Sequence, residues 1–248
     1  LARHLLRTTT LPILATTRTD PPSLRHHLLA GLITPSDDPS CRLEVVTLDV
    51  TSEPSIVAAS YRAASIFPPQ THHLHLGFCL PGILHAEKNL SQVDYSDALE
   101  TYKVNTLGVL MVMKHFERFL PKKVTDMDLP GNVPGHAVWV NMGARVGSVS
   151  DNRLGGWYSY RSSKAAVHSL TKSFDWGLRT RSGDKAVAMS YHPGTVKTHL
   201  TKEFWGSVKD DTLLEPEAAV EKMAKVVMGV GLEQRGLCWD WKGEEVPP

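Results

Sequence analysis

The chain has 248 residues, 42% of them hydrophobic, and a formal net charge of +1, which fits one α/β domain with a full core. So balanced a charge, with no concentrated basic tract, excludes nucleic acid as an expected partner. No apolar run approaches the ~20 residues of a membrane span, and three widely spaced cysteines (Cys41, Cys79, Cys238) point to a reducing compartment without a disulfide framework.

Residues 1–7 read as the last turns of a helix and 11–18 as a short strand, with Pro12 near its start where a missing donor is tolerable. The first 19 residues carry Arg3, Arg7 and Arg18 and no acid, a composition compatible with a transit peptide. The helix end is the preferred reading, so the expected location is cytoplasmic, with a mitochondrial one as the alternative. A polar connection over 20–39, helix-like at 23–31, leads to a strand at 43–50. A helix over 52–66 is broken by Pro68-Pro69, and a strand follows at 74–79.

Residues 91–120 form a long helical region, with a capping-type Ser91-x-x-Asp94 at its start and Pro121 after its end. The Gly- and Pro-containing stretch 121–136 is a surface excursion. A valine-rich strand at 138–142 precedes a helix whose Val167, Leu170, Phe174 and Leu178 keep the spacing of a buried stripe. A strand at 186–191, a helix over 215–229 and a last strand near 237–241 complete the set. Alternating strands and helices imply right-handed crossovers and a parallel sheet covered on both faces, as one domain over 1–248.

Tyr160 and Lys164 lie four apart on one face of that helix. A phenol is a poor acid–base catalyst near neutral pH, and a neighbouring ammonium should lower its pKa and make it able to trade a proton with an alcohol or carbonyl. The strand, the Tyr-x-x-x-Lys helix and the strand ending in Pro193-Gly194 together resemble the short-chain dehydrogenase/reductase family. The phrase Ala144-Arg145-Val146-Gly147-Ser148, continued by Gly155-Gly156-Trp157-Tyr158-Ser159-Tyr160, is similar to its C-factor-like, sniffer-like branch.

The resemblance implies a Rossmann-like, doubly wound parallel sheet with helices on both faces. The family's first strand and its Thr-Gly-x-x-x-Gly-x-Gly turn are expected outside this chain, since no glycine precedes Gly31. An empty slot should then separate the Ile13 and Leu76 strands. Residues 1–248 alone should bind NADP negligibly, and about 20–30 further N-terminal residues are expected in the natural product.

Ligands of an open parallel sheet sit beyond the carboxyl ends of its strands. Arg18 ends the first strand and reads either as a solvated cation or as the partner of the 2′-phosphate of NADP; NAD is the alternative cofactor. By resemblance Asp49 borders the adenine pocket, though it could equally cap the helix from Ser52. Gly82 belongs to Pro81-Gly82-Ile83-Leu84, the tail of the family's Asn-Asn-Ala-Gly-Ile-Leu turn, in which Cys79, Leu80 and Pro81 here replace Asn-Asn-Ala.

Asn105 falls at the family's catalytic asparagine, which holds a helix irregularity and a water that relays protons to the lysine. Met142-Gly143-Ala144 stands where the family has Ile-Ser-Ser, so the catalytic serine is missing, and Ser148 is the candidate replacement. Pro193, Gly194, Val196 and Thr198 match the stretch bordering nicotinamide. His73 and His75 share a strand face with no third ligand at a conventional spacing, so no metal is expected.

The resemblance thus implies an NAD(P)-dependent oxidoreductase acting on a small carbonyl or alcohol, with Tyr160, Lys164, Asn105 and Ser148 as its catalytic set. A family member without turnover, acting as a cofactor-binding or signalling protein, is the alternative. Relatives pair the Asn105 and Tyr160 helices across a four-helix interface, which makes a homodimer or homotetramer the expected assembly. The substrate-covering loop is 199–214, with Phe204, Trp205 and Leu213.

Overall fold

A computed structural model of the chain describes residues 1–32, 38–207 and 212–248. Parts of the 20–39 connection and of the 199–214 loop therefore lie outside the described residues.

Helix α1 (Ala2–Thr8) leads into β1 (Ile13–Thr17), and α2 (Pro21–Leu29) into β2 (Leu43–Thr47), which pairs with β1 in parallel from Ile13↔Leu43 to Thr17↔Thr47. After α3 (Glu53–Ile66), β3 (Leu76–Cys79) opens a second sheet. Its next members are β4 (Ala137–Met142) and β5 (Ala186–His192), reached through α4 (Tyr95–Tyr102), α5 (Val109–Phe116) and α6 (Tyr158–Arg181). Two short strands, β6 (Thr195–Val196) and β7 (Leu213–Leu214), pair with each other; α7 (Pro216–Met228) then leads to β8 (Cys238–Asp240) beside β5 and to β9 (Glu245–Val246) beside β8.

β4 is buried on both faces, so it reads as a near-continuous apolar run. Trp139 packs with Val109, Met113 and Leu178 on the α5–α6 side, whereas Val138 and Val140 pack with Met223 and Val227 of α7. The doubly wound arrangement expected from the sequence is the one observed. One departure is that β9 runs antiparallel to β8, so the sheet is mixed. The other is that the region over 91–120 is not one regular helix. Asp94, not Ser91, caps α4, its Oδ1 accepting from the N–H groups of Ser96 and Asp97 at 2.8 and 3.1 Å. A π-helical stretch, Lys103–Gly108, separates α4 from α5.

Among the described residues no strand lies between β1 and β3. A cavity of about 550 Å³ is found there, lined by Ile13, Leu14, Leu48, Leu76, Phe78 and Trp139 among others.

Candidate active site

Helix α6 begins abruptly. Gly155, Gly156 and Trp157 take φ of +63°, +66° and +49°, and the helix runs on from Tyr158. Tyr160, Ser163 and Lys164 are all buried. The loop after β4 lies directly on this helix, since a Cβ at Gly147 would come within 2.8 Å of the Lys164 carbonyl carbon.

Lys164 Nζ donates to the Met142 carbonyl at the carboxyl end of β4 (2.8 Å) and stands 5.8 Å from the centre of the Tyr160 ring. From the π-helical stretch, Asn105 Oδ1 accepts from Ile83 N (2.8 Å), while its Nδ2 donates to Ile83 O (2.9 Å) and Ser163 Oγ (3.1 Å). Ser163 Oγ in turn donates to the Tyr160 carbonyl at 2.8 Å. Gly82 closes the group: a Cβ there would lie 3.4 Å from Lys164 Nζ and 3.8 Å from Asn105 Oδ1. Tyr160, Lys164, Asn105 and Gly82 are thus brought together. Ser163 is a member that sequence reasoning misses, although its place three residues after Tyr160 puts it on the same helix face.

Burial sets the electrostatics. It pushes the Tyr160 phenol up to about 12 and the Lys164 ammonium down to about 8. The lowering of the phenol expected from the lysine is therefore not seen: Nζ is turned to a carbonyl, and desolvation of the ring outweighs it. Among the described residues the Tyr160 hydroxyl makes no hydrogen bond.

Ser148 is buried, and its hydroxyl is engaged elsewhere. It donates to the Pro248 carbonyl at 3.2 Å and accepts from Asp151 N at 3.0 Å. Behind Gly143, the ring of His168 occupies the space of a side chain, with Nε2 2.9 Å from where a Cβ would stand. His168 Nε2, Ser190 Oγ and His192 Nδ1 are buried without a hydrogen-bond partner.

Arg18 and Asp49 follow β1 and β2. Arg18 is exposed and, among the described residues, makes no ion pair; with Val50, Leu80 and Pro81 it lines the cavity between β1 and β3. Asp49 holds Thr51, accepting from its N–H at 2.9 Å and its hydroxyl at 2.8 Å; these bonds, with Arg18 nearby, keep the carboxyl below its ordinary range. The cap of α3 is Ser52 instead.

Beyond β5, Gly194 has φ +74°, and a Cβ there would meet the Trp241 ring at 2.7 Å, so only glycine fits. Val196 pairs with Leu214, and its carbonyl accepts from the Thr201 hydroxyl, which also accepts from Thr198 N at 3.4 Å. His75 is engaged through Nε2 with the Pro134 carbonyl at 2.8 Å, and no group of three or more ligands able to hold a metal occurs among the described residues.

No family model matches the chain. It is 34% identical over 159 residues to the C-signal of Myxococcus xanthus, an overlap of 64% of this chain and 82% of that protein. It is 30% identical over 189 residues to a 1-hydroxy-2-glutathionyl-2-methyl-3-butene dehydrogenase of Rhodococcus sp. (strain AD45), covering 76% of this chain and 73% of that one. The NADPH-bound carbonyl reductase from chicken fatty liver shares the fold, with a TM-score of 0.73 over 96% of this chain and 98% of that chain at 24% identity.

Proposed function

The chain belongs to the short-chain dehydrogenase/reductase family, and we propose that it is an NADP-linked oxidoreductase moving a hydride between nicotinamide and a carbonyl or alcohol carbon, with Tyr160 as the acid–base group. The observation that carries this reading is the convergence of Tyr160, Ser163 and Lys164 from α6 with Asn105 and with Gly82.

The residues present fit the nicotinamide and 2′-phosphate ends of such a cofactor, and among the described residues none is assigned to its pyrophosphate. Gly82 leaves beside Lys164 Nζ a space that a side chain would fill. Arg18 offers an exposed guanidinium with no ion pair to a 2′-phosphate. Asp49 borders the same region, while Pro193, Gly194, Val196 and Thr198 would flank the nicotinamide. The bound dihydronicotinamide supplies the hydride.

The protein supplies the proton and the geometry. With its pKa near 12, Tyr160 stays neutral at physiological pH and is set to donate, which suits reduction of a carbonyl. Lys164 would hold a ribose hydroxyl and stabilise the phenolate that forms. Asn105 fixes the helix carrying both, through Ser163.

A second reading, a cofactor-binding or signalling protein without turnover, is favoured by Gly143 and Ala144 at the serine position and by the engagement of Ser148 with Pro248. We place the protein as a single catalytic domain that forms homodimers or homotetramers. Tyr95, Leu99, Tyr102, Leu107 and Trp176, exposed on the stretch from α4 to α5 and on α6, support that assembly. Free cysteines fit a reducing compartment such as the cytoplasm, and no helix of the described residues is long and apolar enough to cross a membrane.

Initial rates with NADPH and with NADH over a panel of aldehydes, ketones and quinones test the reading. NADPH-dependent reduction supports it. Tight NADPH binding with no turnover on any carbonyl would favour the second.

A further inference from the structure

A buried carboxylate lies beside the start of α6, and the chemistry above does not use it. Glu87 is 3% exposed, and among the described residues no cation pairs with it. Its Oε2 accepts from the Ser159 N–H at 3.0 Å, its Oε1 from the Ser159 hydroxyl at 2.5 Å, and its carbonyl from Trp157 N at 2.6 Å. A carboxylate so desolvated is tolerated only where hydrogen bonds and the positive end of a helix replace water. Every polar contact of Glu87 thus goes to the two residues that bracket the start of the helix, just before Tyr160.

The segment it grips is strained. Trp157, at φ +49° and ψ +47°, is a left-handed non-glycine residue, a conformation that persists only where its surroundings over-determine it. Arg161 grips the same turn as well, Nε donating to the carbonyls of Gly155 and Gly156 at 3.1 and 3.0 Å and Nη1 to that of Val146 at 3.3 Å. Held this way, the Trp157 indole stands edge-on to the Tyr160 ring, with centroids 6.1 Å apart, and 4.9 Å from the ring of Phe204.

We propose that Glu87 is a positioning residue of this site. Through Ser159 and Trp157 it fixes the left-handed turn and the first turn of α6. It thereby sets where the Tyr160 hydroxyl and the Trp157–Phe204 wall stand against a substrate carbonyl. The inference rests on the oxidoreductase reading, and its own readout must be separable from turnover.

The parent, Glu87→Ala and Glu87→Gln are compared by hydrogen exchange without substrate and by NADPH-dependent reduction of benzaldehyde. Glutamine keeps an acceptor oxygen for Ser159 N; alanine keeps none. Glu87→Ala is expected to lose exchange protection across residues 157–163 while β4 and β5 keep theirs. Its kcat should fall on the order of 10²-fold, the cost of a reacting group misplaced by about 1 Å, with the KM for NADPH unchanged. Glu87→Gln should recover most of both.

Unchanged protection in Glu87→Ala, lost protection with kcat intact, or a Glu87→Gln no better than alanine each overturns the proposal. Should Glu87→Ala unfold altogether, Ser159→Ala, which removes only the hydroxyl contact, must show the same local loss in smaller measure, or the proposal falls. A parent that binds NADPH but turns over no carbonyl of the panel would end the oxidoreductase reading, and exchange alone would then decide whether Glu87 holds the start of α6.

Discussion

The Asn105 carboxamide and the Ile83 backbone pair twice, Ile83 N donating to Oδ1 at 2.8 Å and Nδ2 donating back to Ile83 O at 2.9 Å. The π-helical stretch presents residue 105 to the loop after β3, and the same Nδ2 reaches Ser163 on α6. One side chain therefore ties the loop after β3 to the helix that carries Lys164.

Asn105→Ala should be costly for that reason. It leaves the part-buried Ile83 N–H and C=O without their partner, and an orphaned group costs about 1–3 kcal/mol where fully buried and less where water reaches it. A fall in the urea midpoint together with a lower kcat is expected. A variant as stable and active as the parent would show that Asn105 holds nothing.

Lys164 supplies a test by pH. Burial depresses its pKa from 10.5 to about 8, so between those values the unfolded chain binds more protons than the folded one. The penalty of burying the ammonium is present in full below about pH 8 and disappears as pH rises towards 10.5. Lys164→Met should therefore raise stability at neutral pH, and its advantage should shrink by pH 10. Denaturant titrations of both proteins at the two pH values check this. An advantage that does not change with pH contradicts the assignment.

Acid should act through the buried histidines. Burial lowers His75, His168 and His192 from 6.5 to about 4 each, so the unfolded chain takes up protons across that window while the folded chain does not. Stability must then fall as pH drops from 6.5 to 4. His192→Gln, which removes one of the three, should flatten the slope measured by urea titration across that range. An unaltered slope would mean that His192 is not held neutral.

Cofactor choice is read at Arg18. A charge-assisted contact to phosphate is worth about 1.5–3 kcal/mol, or one to two decades in affinity. Arg18→Asp should move the preference from NADPH towards NADH, as measured by cofactor titration. A parent that already prefers NADH would refute the assignment.

How much of this could be read from the chain differs by element. Strands such as β4 were legible because a strand buried on both faces is a run of valine and other apolar residues. The crossovers followed from alternation alone. The π-helical stretch is invisible to three-and-four periodicity, because it changes one turn without changing which residues are apolar; only the family likeness marked Asn105.

Asp94 displaced Ser91 as a cap because either residue type can accept from a helix N-terminus, and Ser91 instead sits in a short 3-10 turn, its hydroxyl donating to Asn89 Oδ1 at 2.6 Å. The grip of Glu87 on Ser159 joins residues 72 apart through a loop carboxylate, and no local pattern announces it. Nor does any pattern announce the left-handed Trp157, an unfavoured conformation that its partners impose.

The central claim is that Tyr160 delivers the proton while nicotinamide delivers the hydride. The most direct measurement is single-turnover reduction of benzaldehyde by the parent and by Tyr160→Phe, with NADPH affinity determined on both proteins by fluorescence titration. The account predicts that the phenylalanine variant binds NADPH like the parent and forms no measurable alcohol. Alcohol formation at the parent's rate by Tyr160→Phe would contradict it.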